Sequence, residues 1–394
     1  MIIFTTNMKH IVHAGLYLLL AAACATPATE RQIYTDGKTG REVWQLSQVD
    51  SCLMPYFENQ AFTYDDSHAV FKSNRDGGVW KLYASDLKTG EVTKISDRKV
   101  SNAFSIYNTG HEAVFMEDGV LYAVDVKTRA ERVLFDANGK IEEERIIANC
   151  LFTNDGDYTV LMACNPDNYT SIYRIRLSTG EVTRLYSSPD GIQHPMINPE
   201  HPNLITFVCK PDRRAMWNLS REERARGKLI DTEKGTIVPF VMSDKPYRTT
   251  HETWSADGER LFYFEKVHRY SDPNPSKGWE VSVVSIDKDG GDKRQHYVNL
   301  SYKLAHGVGS ADGRFFVADV DMKDENPLFL LNMETGEARI VCWPDQSMPS
   351  SGNVQSEHVH PSFSRSGKYI AFTSDRNTPG TPQAFVLPVG DLTI

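Results

Sequence analysis

The sequence predicts an all-β fold, a seven-bladed β-propeller, from three observations. A hairpin pattern recurs along the chain, a second hairpin follows it in most repeats, and a lone strand-like segment precedes the first repeat. Repeats of about 40–50 residues with four strands each are typical of propeller blades. The composition, with 40% hydrophobic and 24% charged residues, is that of an ordinary globular chain.

The inner hairpin of the repeat is clearest at CLFTNDGDYTVLM (150–162) and TWSADGERLFYF (253–264). Apolar residues alternate on both sides of an Asp-Gly turn, where glycine supplies the positive φ that a tight hairpin needs. Equivalent segments occur at 61–73, 106–116, 308–319 and 362–374, and a degenerate one occurs at 194–208. These segments predict seven blades.

The outer hairpin carries a Lys-Thr-Gly turn or a close variant of it. It occurs at 82–96, 121–135, 172–186 and 328–342. A segment at 41–47 follows a turn of the same kind, whereas the last repeat stops after 385–387. We therefore expect residues 41–47 to form the outermost strand of the blade that contains 360–387, because this pairing closes the ring and removes exposed strand edges.

The first residues have the pattern of an export signal. An apolar run ends in small residues immediately before Cys24, which is typical of a signal peptide over 1–23 and resembles a lipoprotein cleavage site. We expect an exported protein, periplasmic or anchored to the outer membrane through a lipid on Cys24; a plain signal peptide is the alternative. A linker over 24–37 and a propeller domain over 38–394 would follow.

The net charge of −9 argues against a nucleic-acid partner. An anionic ligand would need a local cluster of cations. No segment after the N-terminal run reaches the ~20 apolar residues of a membrane helix, so a lipid anchor is the one membrane contact that we expect.

Four histidines share one position in the repeat. His251, His306 and His360 each lie seven residues before the glycine of an inner hairpin turn, and His194 has the matching place in the degenerate blade. The first three blades have Asn59, Ala103 and Asn149 there. Because inner strands surround the channel of a propeller, this register predicts a ring of side chains at one channel mouth. One histidine would be read as structural; four in register indicate function.

A metal site is predicted where two of these blades meet. His358 lies two residues before His360, on the same side of an extended chain, and His306 comes from the adjacent blade. Gln355 lies three residues before His358. Three imidazole nitrogens and an amide oxygen suit a divalent transition ion.

Several segments resemble a known family. THETW (250–254), HVHPSF (358–363), GIQHP (191–195) and the stretch 52–66 with Tyr56 are similar to segments of the oligogalacturonate lyases, and the resemblance extends from about residue 38 to 388. Those enzymes are seven-bladed propellers that cleave short pectic oligosaccharides by β-elimination with manganese. The resemblance implies that His306, Gln355, His358 and His360 bind a divalent ion, manganese before zinc or another metal.

The resemblance also implies that His251 is a catalytic residue, and the chemistry of β-elimination suggests roles for the remaining candidates. His251 would be the base that removes the C5 proton of a uronate, since an imidazole with an ordinary pKa near 6.5 can accept protons at neutral pH. Arg214 would assist it, and His194, Arg213 and Tyr56 would contact the substrate.

The substrate stays open at this point. The family has an arginine two residues before a tryptophan in the fourth blade, whereas here Ala215 precedes Trp217 by two and Arg214 is displaced by one. A lyase for another uronate polymer, such as ulvan, a rhamnogalacturonan or a glycosaminoglycan fragment, is one alternative. A non-catalytic propeller of the TolB type that binds envelope proteins is the other.

Overall fold

The structure is a computed structural model that describes most of the chain. The described ranges are 29–100, 103–107, 110–143, 145–167, 169–209, 216–268, 278–322, 326–347 and 358–393. The expected signal peptide over 1–23 with Cys24, and the candidates Arg213, Arg214 and Gln355, lie outside these ranges. The helices within them are short, Met216–Asn218 and Gly390–Thr393, and none of them is long and apolar enough to cross a membrane.

Six four-stranded antiparallel sheets form blades 1 to 6 in chain order. Blade 1 contains β3 (Cys52–Leu53), β4 (His68–Asp76), β5 (Val79–Asp86) and β6 (Val92–Lys94). Blade 2 contains β7 (Phe104–Ile106), β8 (Glu112–Glu117), β9 (Val120–Asp125) and β10 (Glu131–Asp136). Blade 3 contains β11 (Arg145–Phe152), β12 (Tyr158–Cys164), β13 (Thr170–Arg176) and β14 (Glu181–Ser188).

The next three blades repeat this order. Blade 4 contains β15 (Ile192–Ile197), β16 (Leu204–Cys209), β17 (Gly227–Asp231) and β18 (Thr236–Val241). Blade 5 contains β19 (Arg248–Trp254), β20 (Arg260–His268), β21 (Trp279–Asp287) and β22 (Lys293–Asn299). Blade 6 contains β23 (Leu304–Gly309), β24 (Phe315–Val320), β25 (Leu328–Asn332) and β26 (Ala338–Cys342).

Blade 7 is built from both ends of the chain. From the centre outward it contains β27 (Ser362–Phe363), β28 (Tyr369–Ser374), β29 (Gln383–Pro388), β2 (Glu42–Gln45) and β1 (Gln32–Thr35). Trp44 pairs with Val386 and Gln45 with Phe385. The predicted seven-bladed propeller, closed by an N-terminal strand, is confirmed.

Two details of that prediction are wrong. Residues 41–47 do not form the outermost strand, and residues 32–35 are not linker, because β1 pairs with the outer edge of β2. The turn between them carries the backbone hydrogen bond from Gly40 N–H to the Asp36 carbonyl, which recurs at Gly90 and Asp86 in blade 1. The Lys-Thr-Gly turn therefore belongs to a complete outer hairpin, which requires a strand on each side.

The core lies between the blades. Each neighbouring pair shares a cluster of buried apolar side chains, and one such cluster joins blade 7 to blade 1 through Ala371, Val386 and Phe71. Between blades 5 and 6, Phe264 and Phe316 pack edge to face at 6.0 Å. Burial of apolar surface stabilises the folded state by about 25 cal/mol per Å². The packed interfaces between blades therefore hold the inner strands in place around the channel.

Candidate active site

The histidines in register converge at one mouth of the channel. His194 lies in β15, His251 in β19 and His306 in β23, while His360 and His358 lie just before β27. The ring predicted from the repeat is visible in one cavity of about 270 Å³. Five of the seven ring positions line it: Asn59, Ala103, Asn149, His194 and His360.

β-Bulges place the histidines. In β19, Thr250 pairs with Phe264 and Thr253 pairs with Phe262 of β20, so β19 has one additional residue between the two pairs. His251 lies within this bulge. The same excess of one residue occurs at His194 in β15 and at His306 in β23. A bulge bends its strand and changes the direction of a side chain, so these bulges position imidazoles that a regular ladder would place differently.

Three of the histidines adopt a left-handed backbone conformation. The φ angles are +47° at His194, +53° at His251 and +48° at His360. Residues other than glycine seldom occupy this region, and each such residue costs on the order of 1–3 kcal/mol. Cys150, next to Asn149 in blade 3, has a φ of +55° as well, so this conformation is not confined to the histidines and recurs near the same position of the repeat.

The imidazole rings of blades 5, 6 and 7 form a compact cluster around His306. Ring centroids lie 4.2 Å apart for His251 and His306 and 4.3 Å apart for His306 and His360. His358 lies 5.1 Å from His306 and 5.6 Å from His360. The structure therefore brings together the three histidines expected to bind metal, with the expected base beside them.

Two aromatic residues of blade 1 reach across the channel to this cluster. Tyr56 lies 4.7 Å from His360 between ring centroids and stacks on His194 at 5.5 Å. Phe57 lies 5.4 Å from His306. Burial raises the pKa of Tyr56 well above its ordinary value, with the nearby Glu58 acting in the same direction, so the Tyr56 phenol stays neutral and able to donate a hydrogen bond.

Asp319 in β24 fixes two of the histidines. Its Oδ1 accepts a hydrogen bond from the His306 backbone N–H at 2.8 Å, and its Oδ2 accepts one from the His360 backbone N–H at 3.1 Å. Oδ2 also lies 3.0 Å from His306 Nδ1. Burial favours a raised pKa of Asp319, but His306 and these hydrogen bonds hold it below its ordinary value. A carboxylate on Nδ1 leaves His306 Nε2 available as a ligand.

His360 supplies the observation that bears on metal binding. Its Nε2 is buried, and within the described ranges no hydrogen-bond partner lies within reach of it. A buried polar atom without a partner is costly, and the neutral imidazole nitrogen is a good ligand for a divalent ion. The donor set therefore fits a transition metal. No group of three or more His, Cys, Asp or Glu in the described residues is already arranged to hold an ion.

A buried ion pair lies behind His251. Arg226 Nε donates to Glu252 Oε1 at 2.8 Å, and the two side chains are 11% and 4% exposed. Glu252 follows His251 in the bulge of β19. Glu58 is also buried, 3.9 Å from His194, and its pKa is raised well above the ordinary value by burial and by the charge of Glu252, against the effect of Arg226.

The pKa of His251 is lowered well below its ordinary value. Burial is the largest cause, and the positive charges of His306, Lys266 and Arg226 act in the same direction. His251 is therefore neutral at pH 7, which is the form of an imidazole that can accept a proton.

Asp319, Arg226, Glu252 and Glu58 were not among the residues predicted from the sequence. Asp319 stands in an otherwise apolar strand, FFVADV (315–320), and a carboxylate there is a signal of a buried partner. Arg226 lies at the end of the charged segment 220–226, whose pairing with blade 5 no local pattern reveals.

Comparisons with known proteins agree with this geometry. No family model matches the chain. The chain is 26% identical over 398 residues to an oligogalacturonate lyase of Dickeya dadantii, covering 91% of this chain and 96% of that protein. It is 24% identical to an oligogalacturonide lyase of Pectobacterium atrosepticum, with the same coverage of both. The chain is thus similar in sequence to oligogalacturonate lyases over nine-tenths of its length.

Solved structures of oligogalacturonate lyases share the fold. An oligogalacturonate lyase in complex with manganese superimposes with a TM-score of 0.76 at 22% identity, over 92% of this chain and 96% of that one. An oligogalacturonate lyase from Vibrio parahaemolyticus gives a TM-score of 0.75 at 18% identity, over 92% and 97%. The likeness to the oligogalacturonate lyases therefore includes the whole described propeller.

Proposed function

We propose that this protein is a metal-dependent lyase that cleaves uronic-acid oligosaccharides, of the oligogalacturonate kind, by β-elimination. The observation that carries the proposal is the histidine cluster: His251, His306, His358 and His360 lie at one channel mouth with ring centroids 4.2–5.6 Å apart. The relationship to the oligogalacturonate lyases over 91% of the chain supports the substrate class.

His306, His358 and His360, with Gln355, would hold the metal ion. A divalent ion bound there supplies positive charge that stabilises the negative charge developing on the substrate carboxylate. Manganese is our choice, because a solved relative of the same fold is described in complex with manganese. Asp319 holds His306 through Nδ1 and so fixes which nitrogen is offered to the ion.

We assign the role of general base to His251. In β-elimination, the base accepts the proton from C5, the electron pair of that C–H bond forms the C4–C5 double bond, and the C4–O bond breaks with its electron pair passing to the oxygen. That oxygen takes up a proton from water, and the sugar leaves as an alcohol. His251 is neutral at pH 7 and stands beside the proposed ligands without sharing their strand. Its bulge aims the ring at the same mouth.

The remaining candidates would position the substrate. His194 and Tyr56 line the 270 Å³ cavity next to the histidine cluster, where they would contact the sugar ring. Arg213 and Arg214 follow β16 in the chain, and we keep them as cations that assist at the carboxylate. Export, with a lipid on Cys24, also stays part of the proposal; it departs from the oligogalacturonate lyases, which commonly act in the cytoplasm, and keeps a lyase for another uronate polymer as the alternative.

The decisive experiment is a screen of uronic oligosaccharides for the ultraviolet absorbance of a 4,5-unsaturated product. We expect absorbance with galacturonate oligomers, its loss with chelator, and its return with Mn²⁺. The panel includes ulvan, rhamnogalacturonan and glycosaminoglycan fragments, so that another uronate lyase is recognised. Elemental analysis of protein purified without a histidine tag is expected to find about one divalent ion per chain. Absence of product from every uronate would contradict the proposal.

A further inference from the structure

A large cavity on blade 3 lies outside the site described above. Its volume is about 710 Å³, which is within the ~300–1,000 Å³ range of small-ligand pockets. Its walls come from the segment before β11, from the connection between β12 and β13, and from β14. They include Glu143, Asn165, Tyr169 and Arg184.

The cavity on blade 3 and the histidine mouth lie on the same side of the propeller. Arg145 at the start of β11 pairs with Cys164 at the end of β12, so the segments that carry the cavity walls meet at this end of the blade. Asn149, further along β11, lines the cavity of the histidine mouth. Since Asn149 is six positions after Glu143, their Cα atoms are at most about 20 Å apart. The cavity on blade 3 is therefore within reach of an oligosaccharide bound at the mouth.

The walls contain the side chains that a sugar ring requires. Tyr169 is 43% exposed, and its ring offers a flat apolar face with polar groups beside it. Asn165 Oδ1 accepts a hydrogen bond from the Tyr169 backbone N–H at 2.8 Å, which fixes this turn, whereas Asn165 Nδ2 has no partner among the described residues. Arg184 is exposed and forms no ion pair in the described part of the chain. Both donors are thus available to sugar hydroxyls.

The walls carry more negative than positive charge. Glu143 Oε2 accepts a hydrogen bond from the Tyr173 hydroxyl at 2.7 Å. Burial favours a raised pKa of Glu143, but hydrogen bonds with Ser171 and Tyr173 and the charge of Arg184 hold it below its ordinary value. Glu142 adds an exposed carboxylate to the walls. An uncharged sugar can donate hydroxyl hydrogens to these carboxylates, whereas the carboxylate of a uronate would be repelled.

A cavity of similar size between blades 1 and 2 lacks these features. Its volume is about 720 Å³, and its described walls contain no aromatic residue. Its charged side chains pair with one another: Arg98 lies 3.1 Å from Glu117 and 3.0 Å from Glu131, and Lys94 lies 2.6 Å from Asp97. The aromatic face and the available donors therefore distinguish the cavity on blade 3 from a surface hollow of the same volume.

We propose that the cavity on blade 3 is a second sugar-binding site, which takes an uncharged unit of the oligosaccharide whose uronate lies at the histidine cluster. This inference rests on the proposed function and deepens it: the substrate is a mixed oligosaccharide in which uncharged units accompany the uronates. Such a unit is a neutral sugar or a methyl-esterified uronate, since both lack the charge that Glu142 and Glu143 repel. Tyr169 is a specificity residue and takes no part in the proton transfer.

The test compares Tyr169→Ala with Tyr169→Phe and with Tyr64→Ala, a tyrosine that is 63% exposed in the inner hairpin turn of blade 1. The substrates are a rhamnogalacturonan oligomer, a partly methyl-esterified galacturonate oligomer and a fully free galacturonate oligomer. Tyr169→Ala is expected to raise KM about tenfold for the first two, through loss of the aromatic contact, and to leave kcat, metal content and the KM for the free oligomer within about twofold. Tyr169→Phe and Tyr64→Ala are expected to stay within about threefold of wild type throughout.

The first two oligomers separate the sources of an uncharged unit. A rise in KM confined to the rhamnogalacturonan oligomer identifies a neutral sugar as the ligand, one confined to the esterified oligomer identifies a methyl-esterified uronate, and a rise with both identifies any uncharged ring. If Tyr169→Ala keeps the KM of wild type with both, or raises it equally with the free oligomer, the inference is overturned. Should thermal unfolding show that Tyr169→Ala does not fold, Asn165→Asp replaces it with the same expectations, because it keeps the acceptor for the Tyr169 N–H and removes the amide donor.

Calorimetric binding of the same oligomers separates this inference from the proposed function. If wild type binds them without cleavage, the lyase proposal fails, while weaker binding of the uncharged-unit oligomers by Tyr169→Ala than by Tyr64→Ala still supports the site on blade 3. Equal binding by both variants overturns that site alone. A wild-type protein that neither binds nor cleaves any of the oligomers overturns both.

Discussion

The two halves of the channel mouth have the same architecture and different chemistry. At equivalent positions of the repeat, blades 4 to 7 carry His194, His251, His306 and His360, whereas blades 1 to 3 carry Asn59, Ala103 and Asn149. The histidine half has left-handed residues at His194, His251 and His360, and a buried His360 nitrogen without a partner among the described residues. Blade 3 of the amide half also has a bulge and a left-handed residue, Cys150, but no such nitrogen in the described residues. The amide half directs its side chains to backbone carbonyls.

Under the proposed function, this difference would separate the reacting side chains from the structural ones within one ring. The side chains of Asn59 and Asn149 are occupied by protein partners, so they stabilise the fold. Asp319 accepts hydrogen bonds from the backbone N–H groups of His306 and His360. The imidazole rings of these two histidines lie 4.3 Å apart between centroids. A repeat protein can therefore keep one position in each blade for binding without losing the contacts that close the ring.

The largest expected effect is loss of the metal from the histidine half. His358→Ala removes one of the three proposed imidazole ligands, so we expect metal content and lyase activity both to fall below detection. Elemental analysis and the ultraviolet assay measure them. His201→Ala, a histidine outside the ring that pairs with Glu259 at the surface, is the matched control. Retention of the metal by the His358 variant would show that the ligands lie elsewhere.

The next effect separates the base from the ligands. His251→Ala is expected to lower kcat about 10²- to 10⁴-fold, the usual contribution of a general base, while metal content and the thermal unfolding temperature stay near those of wild type. His358→Ala, which loses both properties, is the comparison. A His251 variant with activity near that of wild type would remove His251 from the mechanism, and Arg214, Arg213 or Tyr56 would be tested next.

A smaller effect is expected where Asp319 supports the histidines. Asp319→Asn keeps the shape of the side chain but removes the charge that orients His306 Nδ1, so metal affinity is expected to fall about 10- to 100-fold. Competition with a chelator measures this affinity. Asp321→Asn is the control, because Asp321 lies in the next segment of the same blade and pairs with Lys303 instead. Equal affinities of wild type and Asp319→Asn would mean that His306 is oriented by other contacts.

Much of the fold could be predicted because each blade repeats a local pattern. The Asp-Gly turns at Gly258 and Gly313 adopt positive φ, +68° and +71°, as the hairpin pattern requires. The sequence predicts only half of the outer hairpin of blade 7: the Lys-Thr-Gly turn is evident from the repeat, but the pattern does not indicate the short strand Gln32–Thr35 before it. This strand has only four residues, and they are mostly exposed. The alternation of apolar and polar residues is therefore too short to predict a strand from the sequence pattern alone.

The candidate site divides in the same way. Register in the repeat predicted which histidines meet, because equivalent positions of a ring face one channel. Register could not predict Asp319, because its role depends on contact between the second strand of blade 6 and the bulge at His306. It also could not predict the ion pair of Arg226 and Glu252, which joins blade 4 to blade 5. The bulges themselves were also not predicted, because one additional residue leaves the alternation of apolar residues nearly unchanged.

The smallest effect on metal and activity is expected in the amide half, at Asn59. Asn59→Ala removes the donor to the carbonyls of Asn149 and Cys150 and leaves these buried acceptors without it, so unfolding free energy is expected to fall by about 1–3 kcal/mol. Metal affinity is expected to stay within about twofold, as for a site beyond direct contact. Urea unfolding and chelator competition measure the two quantities.

Asn138→Ala, which loses a similar bond to the Asp118 carbonyl at an exposed site, is the control, and its free energy of unfolding is expected to change by no more than about 0.5 kcal/mol. If Asn59→Ala weakens metal binding as much as Asp319→Asn does, the two halves of the mouth are coupled and the division of labour between them is wrong.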